Sequence, residues 1–150
     1  PRHGFFLRAE SFFNLPTDIE RMDAEPAGAP LIIDSYGGRS LHEQSHGESF
    51  FSLMMNRFGG HGFYVLDEPE AALSPSRQLA MIARMHQLVQ SRSQFVIATH
   101  SPILMAYPDA WLYQITPEGL TRIEYRQTEH YIVAKRFLND PKAQLDLLLS

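Results

Sequence analysis

Two short apolar runs near the middle of the chain predict the central strands of a sheet. Residues 63–66 (Phe-Tyr-Val-Leu) end at Asp67, and residues 95–99 (Phe-Val-Ile-Ala-Thr) end at His100. Neither run alternates with polar residues, which is typical of parallel strands that are buried on both faces. We therefore expect two buried strands, each followed at its carboxyl end by an ionisable side chain.

A helix is predicted before the first of these strands and another between the two. The first covers Glu48 to Phe58 and stops at the following glycine pair. The second starts with Ser74 as N-cap and Pro75 at the first helical position, and it runs to about Ser91. Its apolar face is predicted to consist of Leu79, Ile82, Ala83, His86 and Val89. Strand, helix and strand in this order predict a parallel pair.

The remaining segments complete an α/β interpretation. Residues 5–13 predict a strand turning into a short helix, residues 23–30 a loop and residues 36–38 a turn. Residues 111–115 and 120–125 predict a β-hairpin, and helices are expected over 129–138 and 141–149. The predicted fold is one domain, mainly a parallel sheet with flanking helices plus a C-terminal β-hairpin.

Composition narrows the classes of protein. The 150 residues contain no cysteine, which excludes disulfides and thiolate metal sites. The net charge of −4 gives no general attraction for nucleic acid. No segment reaches the roughly 18 consecutive apolar residues of a membrane span. We expect a soluble, cytoplasmic protein.

The chemistry is concentrated at the ends of the predicted strands, where parallel sheets bind ligands. Asp67 and Glu68 are adjacent carboxylates that suit a magnesium ligand and a base for an attacking water. His100 has an imidazole that suits a phosphate oxygen or that water. Each feature alone has a simpler interpretation, a solvated strand end for the carboxylates and an ordinary polar residue for the histidine.

A third feature precedes the first helix. Ser45-His46-Gly47-Glu48 places a serine and a glycine at a helix start, where unpaired amides and the helix dipole attract anions such as phosphate. The alternative is a capping box, with Ser45 as N-cap and Glu48 three residues later, which needs no ligand.

The order of these features resembles the ATP-binding-cassette ATPases, closely over Ser45 to Pro102 and loosely elsewhere. The amino-acid sequence from Asp67 to Pro75 and from Ala98 to Pro102 is most similar to that of predicted stand-alone bacterial ATPases of the AAA-type cassette group. The resemblance implies a P-loop NTPase-like fold, with ATP and Mg²⁺ as ligands. It makes residues 45–48 the signature motif, 63–68 the Walker B strand and 70–74 the D-loop.

The resemblance also assigns roles to single residues. Glu68 becomes the catalytic base, Asp67 the magnesium ligand and His100 the switch histidine. Ser45, Gly47, Glu48 and Ser74 become nucleotide-contacting residues. The chain departs from the transporter pattern at His46, Glu48 and Ser74, which stand where a glycine, a glutamine and an aspartate are usual. These departures weaken a transporter assignment and communication through the D-loop.

One element that the resemblance requires is not in this sequence. A Walker A loop needs Gly-x-x-x-x-Gly-Lys-Ser/Thr, but the only lysines are Lys135 and Lys142 and neither follows a glycine. We expect the chain to be the C-terminal part of one ATPase domain, with the Walker A portion ahead of it. The resemblance puts the Q-loop residue, which contacts magnesium and water, at Glu10 or a neighbour within residues 7–11. This fragment alone is expected to bind ATP poorly.

Two classes of function follow. The first is an ATPase that sandwiches ATP between two subunits of an ATP-dependent homodimer, each giving Ser45 and Gly47 to the nucleotide of the other. It includes an ATPase subunit of a transporter or of a DNA-repair complex. The second is a non-hydrolysing interaction module that keeps the cassette fold. The retained Asp67, Glu68 and His100 favour the first.

Overall fold

The computed structural model describes residues 3–8 and 46–150, which fall into two compact units, Pro1–Thr99 and His100–Ser150. Within the described residues, the first unit contains a three-stranded parallel sheet with flanking helices, and the second contains a two-stranded antiparallel sheet with helices. The α/β class is therefore confirmed. Glu10, Ser45, the loop at 23–30, the turn at 36–38 and the short helix expected after the first strand lie outside the described residues.

The sheet of the first unit consists of β1 (His3–Arg8), β2 (Gly62–Asp67) and β3 (Gln94–Ala98), in the order β1-β2-β3. Both neighbouring pairs are parallel. The strands predicted over 63–66 and 95–99, and their parallel pairing, are confirmed, although Thr99 follows β3 rather than ending it. β1 also confirms the strand expected near the start of the chain.

Two helices flank this sheet and pack on each other, α1 (His46–Arg57) and α2 (Pro75–Gln90). They confirm the helices predicted over 48–58 and 75–91, with ends that differ by one or two residues. Arg84 of α2 joins the helices, because its guanidinium donates to the carbonyl oxygens of Phe58 at 2.8 Å and Met55 at 3.2 Å. These oxygens lie at the end of α1, where helix carbonyls have no intrahelical partner.

Tyr64 of β2 is the centre of the core. Its ring is fully buried and stacks on Phe58, with centroids 4.1 Å apart. Its hydroxyl accepts from the Gly59 N–H at 2.7 Å and donates to the Gly59 carbonyl at 2.8 Å, so the buried phenol is satisfied in both roles. Among the described residues of this unit, Phe50, Leu53, Met54, Leu66, Leu73, Met81, Met85 and Leu88 are also buried.

Exposed apolar residues lie on one face of the sheet, which corrects the expectation that 95–99 is a buried strand. Residues of a strand alternate between faces, and Phe6, Val65 and Val96 align in one row on the face opposite Tyr64. Phe6 is 70% exposed and Val96 is 48% exposed. The apolar run of β3 therefore indicated a strand correctly but not how exposed the residues on each of its faces are.

The buried stripe of α2 also differs from the predicted one. The structure buries Gln78, Met81, Met85 and Leu88, and it leaves Leu79 60% exposed. The predicted stripe is displaced by one position, which turns a helix by about 100°. The polar residue Gln78 is tolerated inside because its amide donates to the carbonyl oxygen of Leu73 at 3.1 Å.

The second unit begins with the short helix α3 (Pro102–Met105), followed by the hairpin strands β4 (Leu112–Thr116) and β5 (Gly119–Ile123). A 3-10 helix (Tyr125–Gln127) leads into α4 (Glu129–Asn139), and α5 (Pro141–Leu149) follows. The hairpin and both C-terminal helices confirm the predictions. The second strand ends two residues earlier than predicted, because Glu124 caps the 3-10 helix and Tyr125 is its first residue.

Candidate functional site

The carboxyl ends of the three parallel strands lie at one edge of the first unit. Arg8, Asp67 and Ala98 occupy matching register positions there. Loops that leave parallel strands at this edge are the usual place for ligands in open α/β sheets. The structure therefore puts the predicted carboxylate pair at a chemically suitable edge.

Asp67 is the last residue of β2, and its carboxylate pairs with Arg8. The Nε atom of Arg8 lies 3.0 Å from Oδ2 of Asp67, and both side chains are partly exposed, at 54% and 32%. Magnesium in nucleotide enzymes is held by one or two carboxylates together with waters and substrate phosphates. One partly exposed carboxylate at a strand end fits that role, although it is shared here with a guanidinium.

Glu68 has an unusual backbone conformation. Its φ of 48° and ψ of 51° lie in the left-handed region, which few residues other than glycine adopt. Its N–H donates to the carbonyl oxygen of Ala98 at 2.9 Å, so the chain leaves β2 while still bonded to β3. Pro69 then starts a 3-10 helix (Pro69–Ala72). Strained residues held by surrounding structure cluster at functional sites. The Glu68 side chain is exposed.

His100 is the first residue of the second unit, two residues after Ala98 in the chain. Its imidazole is exposed, and its Nδ1 lies 3.1 Å from Nε2 of His130. Ser101 follows as the N-cap of α3, with its hydroxyl accepting from the Ile103 N–H at 3.1 Å. Sequence reasoning found His100 but missed His130.

The predicted signature residues precede or begin α1. The helix starts at His46, so Gly47 and Glu48 belong to its first turn. Their backbone amides are among the first four of a helix, which have no intrahelical partner. Ser45, the predicted N-cap, lies outside the described residues.

Ser74 is placed as the sequence predicts, at the N-cap of α2, with Pro75 at the first helical position. Its hydroxyl accepts a long hydrogen bond, 3.4 Å, from the Arg77 N–H. This contact explains the serine without a ligand. Its assignment to the nucleotide stays a prediction.

A shallow cavity of about 440 Å³ lies within the second unit. Its lining includes Tyr107, Asp109, Trp111 and Arg122, and none of the predicted site residues. Partial burial, and secondly the negative charge of Asp109, raise the pKa of Tyr107 above its usual value. The Arg122 guanidinium lies 5.0 Å from the centre of the Trp111 ring. The cavity therefore combines aromatic surface with one arginine.

Residues 3–8 and 46–150 also bear on metal binding and on membrane insertion. No group of three or more His, Asp or Glu side chains there is arranged around a metal position. No helix in this part of the chain combines the length and the apolar character needed to cross a bilayer.

Comparison with known proteins gives no relative. No protein-family model, no curated protein and no solved structure matches this chain significantly.

Proposed function

We propose that this chain is part of an ATPase that binds ATP between two subunits and hydrolyses it with Glu68 as the general base. The observation that carries the proposal is the backbone of Glu68. Glu68 follows Asp67 at the carboxyl edge of a parallel sheet, with a strained backbone and an exposed side chain. The hydrogen bond from its N–H to the Ala98 carbonyl oxygen holds the backbone there. The order of motifs around it resembles the cassette ATPases.

The two carboxylates would have different tasks. Successive residues of an extended strand point to opposite faces, and the left-handed conformation of Glu68 turns its side chain away from the strand direction. Asp67 would hold Mg²⁺, directly or through its waters, and the ion would neutralise charge on the phosphates. Glu68 would accept a proton from the water that attacks the γ-phosphate. A positioned base of this kind accelerates a reaction by about 10²–10⁴-fold.

The other predicted residues complete the proposal. His100 would donate a hydrogen bond to a γ-phosphate oxygen. Ser45 and Gly47, at the start of α1, would bind the nucleotide held by the second subunit, because helix N-termini attract phosphate. A Walker A loop, which residues 1–150 do not contain, would have to supply the amide cradle and the lysine.

One observation favours the alternative of a non-hydrolysing module. Arg8 occupies one oxygen of the carboxylate that should hold magnesium. This ion pair is weak evidence for the alternative, because exposed ion pairs contribute only about 0–1 kcal/mol to stability. Magnesium bound together with phosphates would displace the guanidinium at little cost. The ATPase is therefore the preferred proposal.

The first test is the sequence encoded ahead of Pro1 in the natural protein. A Gly-Lys-Ser/Thr loop after a predicted strand supports the enzyme, and an upstream region without one supports the module. The second test compares the natural protein with its Glu68→Gln variant in steady-state ATP hydrolysis and in ATP binding. We expect binding to persist and kcat to fall by about 10²–10⁴-fold. Glu118→Gln, in the exposed hairpin turn, is the matched control. Equal kcat for wild type and Glu68→Gln would remove Glu68 from the base role.

A further inference from the structure

Arg8 and Asp67 end two neighbouring strands and are bonded to each other. They are register partners in the parallel pair of β1 and β2, so their side chains leave the same face of the sheet. Nε of Arg8 lies 3.0 Å from Oδ2 of Asp67. A charge-assisted hydrogen bond of this length puts a positive charge on the carboxylate that the proposed function gives to magnesium.

The sheet itself sets this pairing. β1 and β2 are paired from His3 with Gly62 to Arg8 with Asp67, and a shift of one residue would move Arg8 to the opposite face. On its other side, Asp67 pairs in register with Ala98, whose methyl side chain brings no charge. Of the two register neighbours of Asp67, only Arg8 therefore carries a charge.

The guanidinium of Arg8 and a divalent cation compete for Asp67. An arginine in a protein does not lose its proton, so the positive charge of Arg8 persists. A free Mg²⁺ ion must displace this guanidinium and then lie near it, and two positive charges at such a distance repel each other. Mg²⁺ that arrives with a nucleotide brings phosphate oxygens, which offset this repulsion and themselves attract a guanidinium. The ion pair therefore disfavours the free ion more than the ion bound to phosphates.

We infer that Arg8 is a specificity-determining residue, which makes Asp67 bind the complex of Mg²⁺ with a nucleotide in preference to free Mg²⁺. This inference rests on the proposed function, because it takes Asp67 as the magnesium ligand. Both side chains are partly exposed, at 54% and 32%, so ions from solution reach the pair. Exposed ion pairs contribute little free energy, which limits the effect of Arg8 to about 5-fold in affinity.

The test measures binding to the natural protein, without hydrolysis. Electron paramagnetic resonance measures the binding of Mn²⁺ alone, which takes the same oxygen ligands as Mg²⁺. Calorimetry measures the binding of Mg²⁺ together with a non-hydrolysable ATP analogue. Arg8→Gln should lower the Kd for Mn²⁺ alone by about 2-fold to 5-fold, and the Kd for the nucleotide complex should stay the same or rise. An unchanged or higher Kd for Mn²⁺ alone, or an equal decrease in both Kd values, would overturn the inference.

Further variants separate the charge of Arg8 from a structural role. Arg8→Lys keeps the positive charge, so its Kd for Mn²⁺ should stay close to the wild-type value, and a decrease equal to that of Arg8→Gln would contradict the competition between charges. In an Asp67→Asn background, Arg8→Gln should no longer lower the Kd, because residues that act through one another are not additive. A decrease as large as in the wild-type background would contradict the inference. Arg92→Gln, in the exposed turn before β3, is the matched control and should bind Mn²⁺ like wild type.

The outcomes also separate this inference from the proposed function. If Glu68→Gln slows hydrolysis while Arg8→Gln leaves the Kd for Mn²⁺ unchanged, only the role of Arg8 fails. If Arg8→Gln binds Mn²⁺ more tightly as expected but the wild-type natural protein does not hydrolyse ATP, the ATPase fails and the selection by Arg8 stands. If wild type binds neither Mn²⁺ nor the nucleotide complex, both fail. Should Arg8→Gln not fold, Arg8→Met, which is uncharged and of similar length, decides with the same expected values.

Discussion

The N–H of Glu68 donates to the carbonyl oxygen of Ala98 over 2.9 Å, one residue beyond the paired part of β2. Asp67 still pairs with Ala98 in the register of the sheet. The backbone of Glu68 therefore turns into the left-handed region while it remains bonded to the neighbouring strand. This combination holds a carboxylate at the strand end in a conformation that glutamate does not favour.

The strain at Glu68 predicts an unusual order of stabilities. The left-handed conformation costs a residue other than glycine about 1–2 kcal/mol, and the greater freedom of glycine in the unfolded chain offsets about 0.5–1 kcal/mol of that. We expect Glu68→Gly to be more stable than Glu68→Ala by up to about 1.5 kcal/mol in urea denaturation. Ala83→Gly, at an exposed position in α2, should show the usual order, with alanine more stable by about 1 kcal/mol. A less stable Glu68→Gly than Glu68→Ala would argue against strain.

Gly62 is required by the packing of Tyr64. A Cβ atom at Gly62 would overlap the hydroxyl and ring atoms of Tyr64. That ring cannot move aside, because it is fully buried against Phe58 and its hydroxyl is bonded to Gly59. We expect Gly62→Ala to lower the free energy of unfolding by about 1–3 kcal/mol or more, measured by urea denaturation.

Gly59→Ala is the control for this prediction. A Cβ atom there meets no atom within 4 Å, so the free energy of unfolding should change by less than about 0.5 kcal/mol. If both substitutions lower the free energy of unfolding equally, the backbone flexibility of glycine matters more than the contact with Tyr64.

The sequence predicted the strands and helices well because local signals defined them. The run at 63–66 ends at a proline-bounded carboxylate pair, and Ser74 with Pro75 marks the start of α2. The face of α2 that is buried was not predictable in the same way. It depends on where α1 and the sheet lie, and the buried amide of Gln78 is compensated by a carbonyl five residues earlier.

The candidate site was only partly predictable for a related reason. Asp67 and Glu68 are adjacent in sequence, so the pattern revealed them together. Arg8 reaches Asp67 only because β1 pairs with β2. His130 reaches His100 only through the packing around Tyr125. A histidine thirty residues after His100 carries no local signal of pairing.

Asp109 is predicted to set part of the titration of Tyr107. Burial is the larger cause of the raised pKa of Tyr107, and the charge of Asp109 adds to it. Asp109→Asn should therefore lower this pKa but leave it above the usual value. Asparagine suits position 109, where φ is 59°. Spectrophotometric titration of tyrosinate tests this, with Tyr107→Phe identifying one tyrosine among six.

The raised pKa of Tyr107 also makes the stability of the fold depend on pH. A raised pKa means that the folded state binds the phenol proton more tightly than the unfolded state. The contribution of this difference to the free energy of unfolding is complete below the unfolded pKa of about 10. It is lost as the pH rises through the folded pKa. An unchanged titration in Asp109→Asn would show that burial alone is responsible.

The last prediction concerns the proposed dimer. If the start of α1 binds the nucleotide of a second subunit, then Ser45→Arg places a large side chain in that interface. We expect this variant of the natural protein to remain monomeric with ATP and Mg²⁺, and wild type to dimerise, as measured by light scattering. Glu68→Gln should be included in both backgrounds, because slowed hydrolysis prolongs the nucleotide-bound state.

Gln90→Arg adds the same charge at the exposed end of α2 and is the matched control, which should dimerise like wild type. Normal dimerisation of Ser45→Arg with unaltered hydrolysis would leave Ser45 as a helix cap and remove the contact between subunits from the proposal. If wild type and all variants stay monomeric while wild type hydrolyses ATP, the ATPase acts without the sandwich. The two results separate the role of α1 from the role of Glu68, because the base acts within the first unit's own sheet edge.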